Sequence, residues 1–281
     1  MACVMWVDTA YAESVEAEST VPAPTRNATA FSAHKPSYIL PLSVTSAVNR
    51  DVFRAANSDL QELLKDEEVA FQMSLKVRFN EQDLVREDDA LFFGFTLRSW
   101  WQLYSPDISS PFRETNYQPE LFYITPLRWR PFDASLSLTL GLEHQSNGQA
   151  QAFSRSWNRL YAELALQRGR LFTAFRPWYR LPEDPKPSAD SALGDDNPDI
   201  DDFLGHSALT AGWRGEQYHL RAQLHGSTTT GKGGLQLMMS FPVFNRFRGV
   251  VQVFEGYGDS LIDYNHTQTR VGVGVLLSPL F

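Results

Sequence analysis

The 281 residues include one cysteine, Cys3, which excludes an internal disulfide framework. Basic side chains are in the minority, 25 Lys+Arg against 33 Asp+Glu for a formal charge of −8, and they form no tract. That balance argues against nucleic acid as a partner. Long apolar runs are missing too. Nothing approaches the ~18 consecutive apolar residues a membrane-spanning helix needs, so a helical membrane protein is out. A transmembrane β-barrel remains open, because its alternating strands look ordinary on a hydropathy average.

The start of the chain is polar and irregular. Residues 1–12 end in Ala10-Tyr11-Ala12, the small-x-small form of a signal-peptidase site, but they carry no Lys or Arg and are interrupted by Asp8. They read as a signal-peptide remnant. Residues 13–35, rich in Ala, Ser, Thr, Glu and Pro, read as a flexible segment. The barrel is expected over 36–281.

What the chain has in abundance is alternation. Val69, Phe71, Met73, Leu75, Val77 and Phe79 alternate with Ala70, Gln72, Ser74, Lys76 and Arg78. Eleven such residues match a tilted bilayer-crossing strand of about 9–11 residues. The pattern returns at 135–143, 218–225 and 235–241. Lys76, Arg78, Glu143, Arg159, Glu163 and Arg221 fall on the non-apolar side, as in a barrel with a polar interior. Strands are predicted over 69–79, 90–104, 113–125, 133–146, 155–168, 170–182, 203–214, 216–226, 232–242, 246–257 and 267–278, and Tyr38–Val44 makes an even twelve. The fold class is therefore all-β, a 12-stranded antiparallel transmembrane barrel. Short connections at 169, 215 and 243–245 alternate with longer ones, which puts 105–112, 147–154 and 183–202 on one, extracellular, side. The 80–89 connection is longer than a turn on the opposite side should be. Trp100, Trp101, Trp129, Trp157 and Trp178, near strand ends, read as interfacial aromatics.

The densest polar constellation is Glu143-His-Gln-Ser-Asn-Gly148 followed by Ser154-Arg-Ser-Trp-Asn-Arg159. His144 and Ser146 share parity with Leu136 to Leu142, and Asn158 with Leu160 to Leu166, so all three belong on the lipid face. A hairpin that sets Leu142 against Leu160 sets His144 against Asn158 on that face, and Glu143 against Arg159 on the inner one. Polar groups on an apolar face need a reason. Either they cap strand ends at headgroup level, or they are a catalytic set: Ser146 the nucleophile, His144 its base and Asn158 the orienter of the imidazole.

These residues, with Ser109-Ser-Pro-Phe-Arg-Glu-Thr-Asn-Tyr117, Asp195-Asp-Asn-Pro-Asp-Ile200, Ser260-Leu-Ile-Asp-Tyr264 and Gln268-Thr-Arg-Val-Gly-Val-Gly-Val275, resemble the outer membrane phospholipase A family over about His34 to Phe281. The resemblance implies a calcium-dependent enzyme of the Gram-negative outer membrane, homodimeric when active, that cleaves both acyl chains of phospholipids and lysophospholipids. It carries the triad onto Ser146, His144 and Asn158 and an oxyanion-hole amide onto Gly148. Its calcium positions carry onto Ser109 (offered by the partner chain), the Gln149 carbonyl, Ser154 and Asp196. Gln149 stands where the family has Arg, Leu97 stands at a polar seam position, and an insert at 183–194 enlarges an outer loop. By composition alone, Asp195, Asp196, Asp199, Asp201 and Asp202 read as a solvated acidic loop; the resemblance makes that loop a calcium site. Two readings compete with the enzyme: a non-catalytic transport or structural barrel, and a soluble all-β enzyme.

Overall fold

The computed structural model describes residues 31–55, 62–188, 191, 193–244 and 247–281. The signal-peptide remnant expected at 1–12 and most of the segment 13–35 lie outside the described residues.

Twelve antiparallel strands close into a barrel: β2 (Tyr38–Thr45), β3 (Glu67–Arg78), β4 (Ala90–Trp101), β5 (Phe112–Leu127), β6 (Ser135–Ser146), β7 (Ser156–Arg168), β8 (Leu171–Arg180), β9 (Ser207–Arg214), β10 (His219–Gly226), β11 (Gly233–Phe244), β12 (Phe247–Gly256) and β13 (Gln268–Leu276). Each strand pairs with its sequence neighbours, and β13 closes on β2, Val271 opposite Val44 and Leu276 opposite Tyr38. The predicted twelfth strand is thus the one that seals the ring. A two-residue β1 (Ser32–Ala33) extends the edge of β2 along β3. No helix among the described residues is long and apolar enough to cross a membrane.

Alternation decides the faces. Leu140, Leu142, Leu160, Leu164, Leu220 and Leu237 point outward and stay more than two-fifths exposed, the band lipid would cover. Inward residues form a dense polar network. The Arg113 guanidinium bonds Glu68 at 2.7 Å and Asp263 at 2.8 Å; Arg270 bonds Glu68 at 2.8 Å and Asp259 at 2.7 Å. Nearer the site, Arg176 bonds Glu163 at 2.7 Å and Arg159 pairs with Glu143. Residues 32–35 join this interior: His34 Nε2 lies 2.8 Å from a Glu120 oxygen, and the Lys35 ammonium 2.6 Å from the same oxygen.

Parity also corrects one expectation. Trp100, Trp157 and Trp178 are not interfacial. Trp100 and Trp157 are fully buried, Trp157 meets Trp178 edge-to-face with centroids 6.2 Å apart, and the Arg159 guanidinium stacks over both rings. Trp157 shares the parity of Arg159, Trp100 that of Phe92 and Thr96, and Trp178 that of Ala174 and Arg176, all inward positions. Nearness to a strand end was the wrong criterion; the pleat sends these rings into the lumen.

The topology puts the connections 46–66, 102–111, 147–155, 181–206, 227–232 and 257–267 at one end, and 79–89, 128–134, 169–170 and 215–218 at the other. The long connection 79–89 is built around one side chain. The buried Asp89 carboxylate accepts the amides of Leu84 and Val85 at 2.7 Å and of Arg86 at 2.8 Å, and the Tyr123 hydroxyl at 2.7 Å.

Candidate active site

The β6–β7 hairpin has the register its sequence predicts: Leu142 opposite Leu160, Glu143 opposite Arg159, His144 opposite Asn158, Ser146 opposite Ser156. On the inner face Glu143 pairs with Arg159, and Trp157 donates its indole N–H to Gln145 at 2.9 Å. The outer face ends, at the long-loop rim, in His144, Ser146 and Asn158, above Leu140, Leu142 and Leu160, which are 46–48% exposed.

His144 Nδ1 and Asn158 Oδ1 are 2.9 Å apart. The amide nitrogen of Asn158 is committed elsewhere, donating to Glu183 Oε1 at 3.1 Å. A carboxylate only accepts, so Glu183 holds the NH2 end of the amide and turns the oxygen toward the imidazole. Nδ1 then carries the proton it donates to Asn158, and Nε2 is left with its lone pair. That tautomer follows from the hydrogen-bond chain Glu183–Asn158–His144.

The rim loop 147–155 is pinned by Asn147, which is buried. Its Oδ1 accepts the amides of Arg155 at 3.0 Å and Gln149 at 3.3 Å, and its Nδ2 donates to the Phe153 carbonyl at 2.8 Å and Glu114 at 3.2 Å. Gly148, between these anchors, has φ +64°; a Cβ there would be strained and would come within 3.2 Å of the Tyr117 ring. The loop turns sharply one residue after Asn147, beside the serine.

The acidic loop 195–202 does not act as one cluster. Asp195 forms two bonds to Arg180 at 2.6 and 2.7 Å, Asp199 accepts the Tyr264 hydroxyl at 2.5 Å, and Asp201 lies 3.7 Å from Arg180. Burial raises the Asp201 pKa above its ordinary value, with Arg180 opposing. Asp196 alone turns to the hairpin. Its Oδ2 accepts the Ser154 hydroxyl at 2.7 Å and the Ser156 hydroxyl at 3.2 Å, while its Oδ1 receives the Lys186 ammonium.

Of the residues the sequence singles out, the structure brings His144 to Asn158 and Ser154 to Asp196, and keeps Ser146 and Gly148 beside them. Ser109 is exposed on the 102–111 loop, with φ 60°, and no described contact joins it to Ser154 or Asp196. Sequence reasoning missed Glu183, Lys186 and Ser156. Ser156 was findable as the cross-strand partner of Ser146. Glu183 and Lys186 sit in an irregular insert where no periodicity reports direction.

Among the described residues no group of three His, Cys, Asp or Glu side chains is arranged to hold a metal. The oxygens gathered at Asp196 are instead its own carboxylate and the Ser154 and Ser156 hydroxyls. Hard oxygens of this kind are the type calcium takes, and here a positively charged nitrogen, the Lys186 ammonium, seats on the carboxylate.

A closed barrel with an apolar outer band and a polar interior defines an integral β-barrel membrane protein, and this one carries Ser146, His144 and Asn158 on its outer rim. The sequence profile of phospholipase A1 matches residues 14–277. Phospholipase A1 from Klebsiella pneumoniae is 38% identical over 239 residues, covering 84% of this chain and 79% of that protein; the Escherichia coli K12 protein is also 38% identical, over 84% and 78%. The solved structure of outer membrane phospholipase A from Escherichia coli superposes with a TM-score of 0.81 at 37% identity, over 91% of this chain and 94% of that one. That of the Salmonella typhi protein, a dimer with bound calcium, gives 0.81 at 36%, over the same shares. The chain belongs to the phospholipase A1 family and is an outer-membrane β-barrel.

Proposed function

We propose that the protein is a calcium-dependent phospholipase of the outer membrane that hydrolyses acyl esters at both glycerol positions (A1 and A2) and in lysophospholipids, with Ser146 as nucleophile, His144 as general base and Asn158 as orienter. The observation that carries this reading is the 2.9 Å contact between His144 Nδ1 and Asn158 Oδ1 on the outward face that also bears Ser146. Ser146 is two residues from His144 on one strand, hence on the same face. A lipid diffusing in the outer leaflet meets this rim from the side.

In this mechanism His144 Nε2 takes the Ser146 hydroxyl proton as the oxygen attacks the ester carbonyl, and returns it to the departing alkoxide. Asn158 holds the ring in the tautomer that makes Nε2 the acceptor and stabilises the imidazolium. The Gly148 amide faces the oxyanion. Water, activated by the same histidine, then releases the fatty acid from Ser146. Calcium, bound by Ser154, Asp196 and the Gln149 carbonyl with Ser109 of a second copy, would supply positive charge against the negative charge developing on the ester oxygen. A dimeric active form follows from that shared site, and the dimeric, calcium-bound Salmonella typhi relative supports it.

The interior favours the enzyme over a transport barrel. Buried ion pairs cross the lumen, and the cavity left among Arg98, Glu143, Arg159, Arg176 and Arg221 is about 250 Å³. The test is hydrolysis of a fluorescent phospholipid by wild type and Ser146→Ala, each with calcium or EDTA. Ser146→Ala should abolish turnover while the barrel remains heat-modifiable on gels. Residual activity within about tenfold of wild type would remove Ser146 from its role, since loss of a nucleophile costs orders of magnitude.

A further inference from the structure

The insert that enlarges the outer loop ends on the cation position itself. The Lys186 ammonium contacts Asp196 Oδ1, on the opposite carboxylate oxygen from Ser154 and Ser156. Both partners are largely shielded, the Lys186 side chain 17% and the Asp196 side chain 8% exposed. An ion pair withdrawn from water in this way is screened far less than a surface pair.

The backbone delivers the lysine there. Pro185 pairs with Asp195 in a parallel bridge, and the Asp195 amide donates to the Asp184 carbonyl at 2.8 Å. Arg180 clamps the Asp195 carboxylate from the barrel wall. Gly194, at φ +103°, lies against the same strap so closely that a Cβ would stand 2.7 Å from Lys186 Cα. A bulkier residue there would push Lys186 off its partner. Three residues before the lysine, Glu183 holds Asn158, so one short segment spans from the triad to the cation position.

We infer that Lys186 is an internal counter-cation that shares the Asp196 carboxylate with the calcium position and competes with a divalent ion for its charge. The inference rests on the calcium reading above and adds a competitor to it. An ammonium on a flexible four-carbon stem is a point charge with no oxygen to offer, whereas calcium requires six to eight oxygen ligands at about 2.3–2.6 Å. Calcium on the serine side of Asp196 would face the ammonium across one carboxylate, so each cation weakens the hold of the other. With calcium absent, the lysine neutralises a shielded carboxylate beside the nucleophile's cross-strand neighbour; with calcium present, its hold on that carboxylate is weakened.

The experiment is calorimetric titration of calcium into the intact barrel in detergent micelles, in the presence of a non-hydrolysable phospholipid analogue. Wild type is compared with Lys186→Ala, Lys186→Gln and Asp196→Asn, each first checked for heat-modifiability on gels. Removing the internal competitor should tighten calcium binding about ten- to hundredfold in both lysine variants, the range expected for lifting one shielded charge from a carboxylate. Asp196→Asn should abolish that binding. Calcium bound equally well by wild type and both lysine variants, yet lost in Asp196→Asn, would overturn the competition and leave the calcium site standing. No calcium binding in any variant would overturn the calcium reading and this inference with it. Wild-type turnover undiminished by EDTA but lost in Lys186→Gln would mean that the lysine replaces calcium, which also overturns competition.

Discussion

The task proposed for Asn158 is narrow and depends on a neighbour from another loop. An amide can face a histidine with either end, and only the oxygen keeps Nδ1 protonated. Glu183 makes that choice by accepting from the amide nitrogen at 3.1 Å. Asn158→Ala should lower turnover by roughly 10–10⁴-fold, the span of orienting effects in triads, and Asn158→Asp, which retains an acceptor, should be milder. Unchanged kcat in the alanine variant would show that the His144–Asn158 contact is incidental. Glu183→Ala should lower kcat about fivefold with KM unchanged, in line with about 1 kcal/mol for one hydrogen bond. Glu183→Gln still offers Oε1 and should restore most of the loss. A purely structural Glu183 would not separate kcat from KM in this way.

At the scale of elements, the hairpins are held by what closes them. Between β3 and β4 the connection 79–89 folds onto Asp89, whose carboxylate is desolvated yet held below its ordinary pKa by three backbone amides and the Tyr123 hydroxyl. A depressed pKa in the folded state contributes stability that is fully present above the unfolded value, about 4, and fades as pH falls below it. The midpoint of heat modification should therefore drop on acidification, and that drop should be shallower in Asp89→Asn, which no longer carries the charge. Parallel profiles for the two proteins would show that Asp89 does not set the acid limit. At the opposite rim Asn147 does similar work for the loop 147–155, with four partners around one amide. There the ordered backbone serves the site, since Gly148 and Ser154 lie within it.

Across the whole molecule, the wall faces two ways and so do its requirements. The lumen is braced by buried pairs such as Arg113 with Glu68 and Asp263; deleting one partner leaves an uncompensated charge at a cost of about 3–5 kcal/mol. The Asp259 carboxylate in the 257–267 loop is desolvated but still held below its usual pKa by Arg98 and Arg270. The outer wall is apolar up to the rim, and Leu97 lies on it, opposite Met73 and Tyr117. If Ser109 completes the calcium site of a second copy, calcium should raise dimer content and turnover together. Analytical ultracentrifugation in detergent, with a substrate analogue and with calcium or EDTA, is the measurement. Full activity as a monomer in EDTA would contradict a shared site. If Leu97 lies in the seam of that dimer, the calcium-free dimer is expected to be weak.

Much of this was legible in the residues, for a geometric reason. A strand has a period of two, so parity alone assigned Leu140, Leu142, Leu160 and Leu164 to the outside, Glu143 and Arg159 to the inside, and His144, Ser146 and Asn158 to one face. Hairpin register followed because each strand pairs with its sequence neighbour. The same rule, applied to Trp100, Trp157 and Trp178, would have turned them inward. Irregular segments have no such period. Nothing local in Glu183-Asp-Pro-Lys186 shows that its two charged ends reach Asn158 and Asp196, because those contacts exist only once β8 and the bridge between Pro185 and Asp195 set the path of the loop. For the same reason four of the five aspartates that look like one cluster are dispersed to Arg180, Tyr264 and the hairpin. Sequence determines what repeats along the chain; where a non-repeating loop sets down its charges is decided by the wall it folds against.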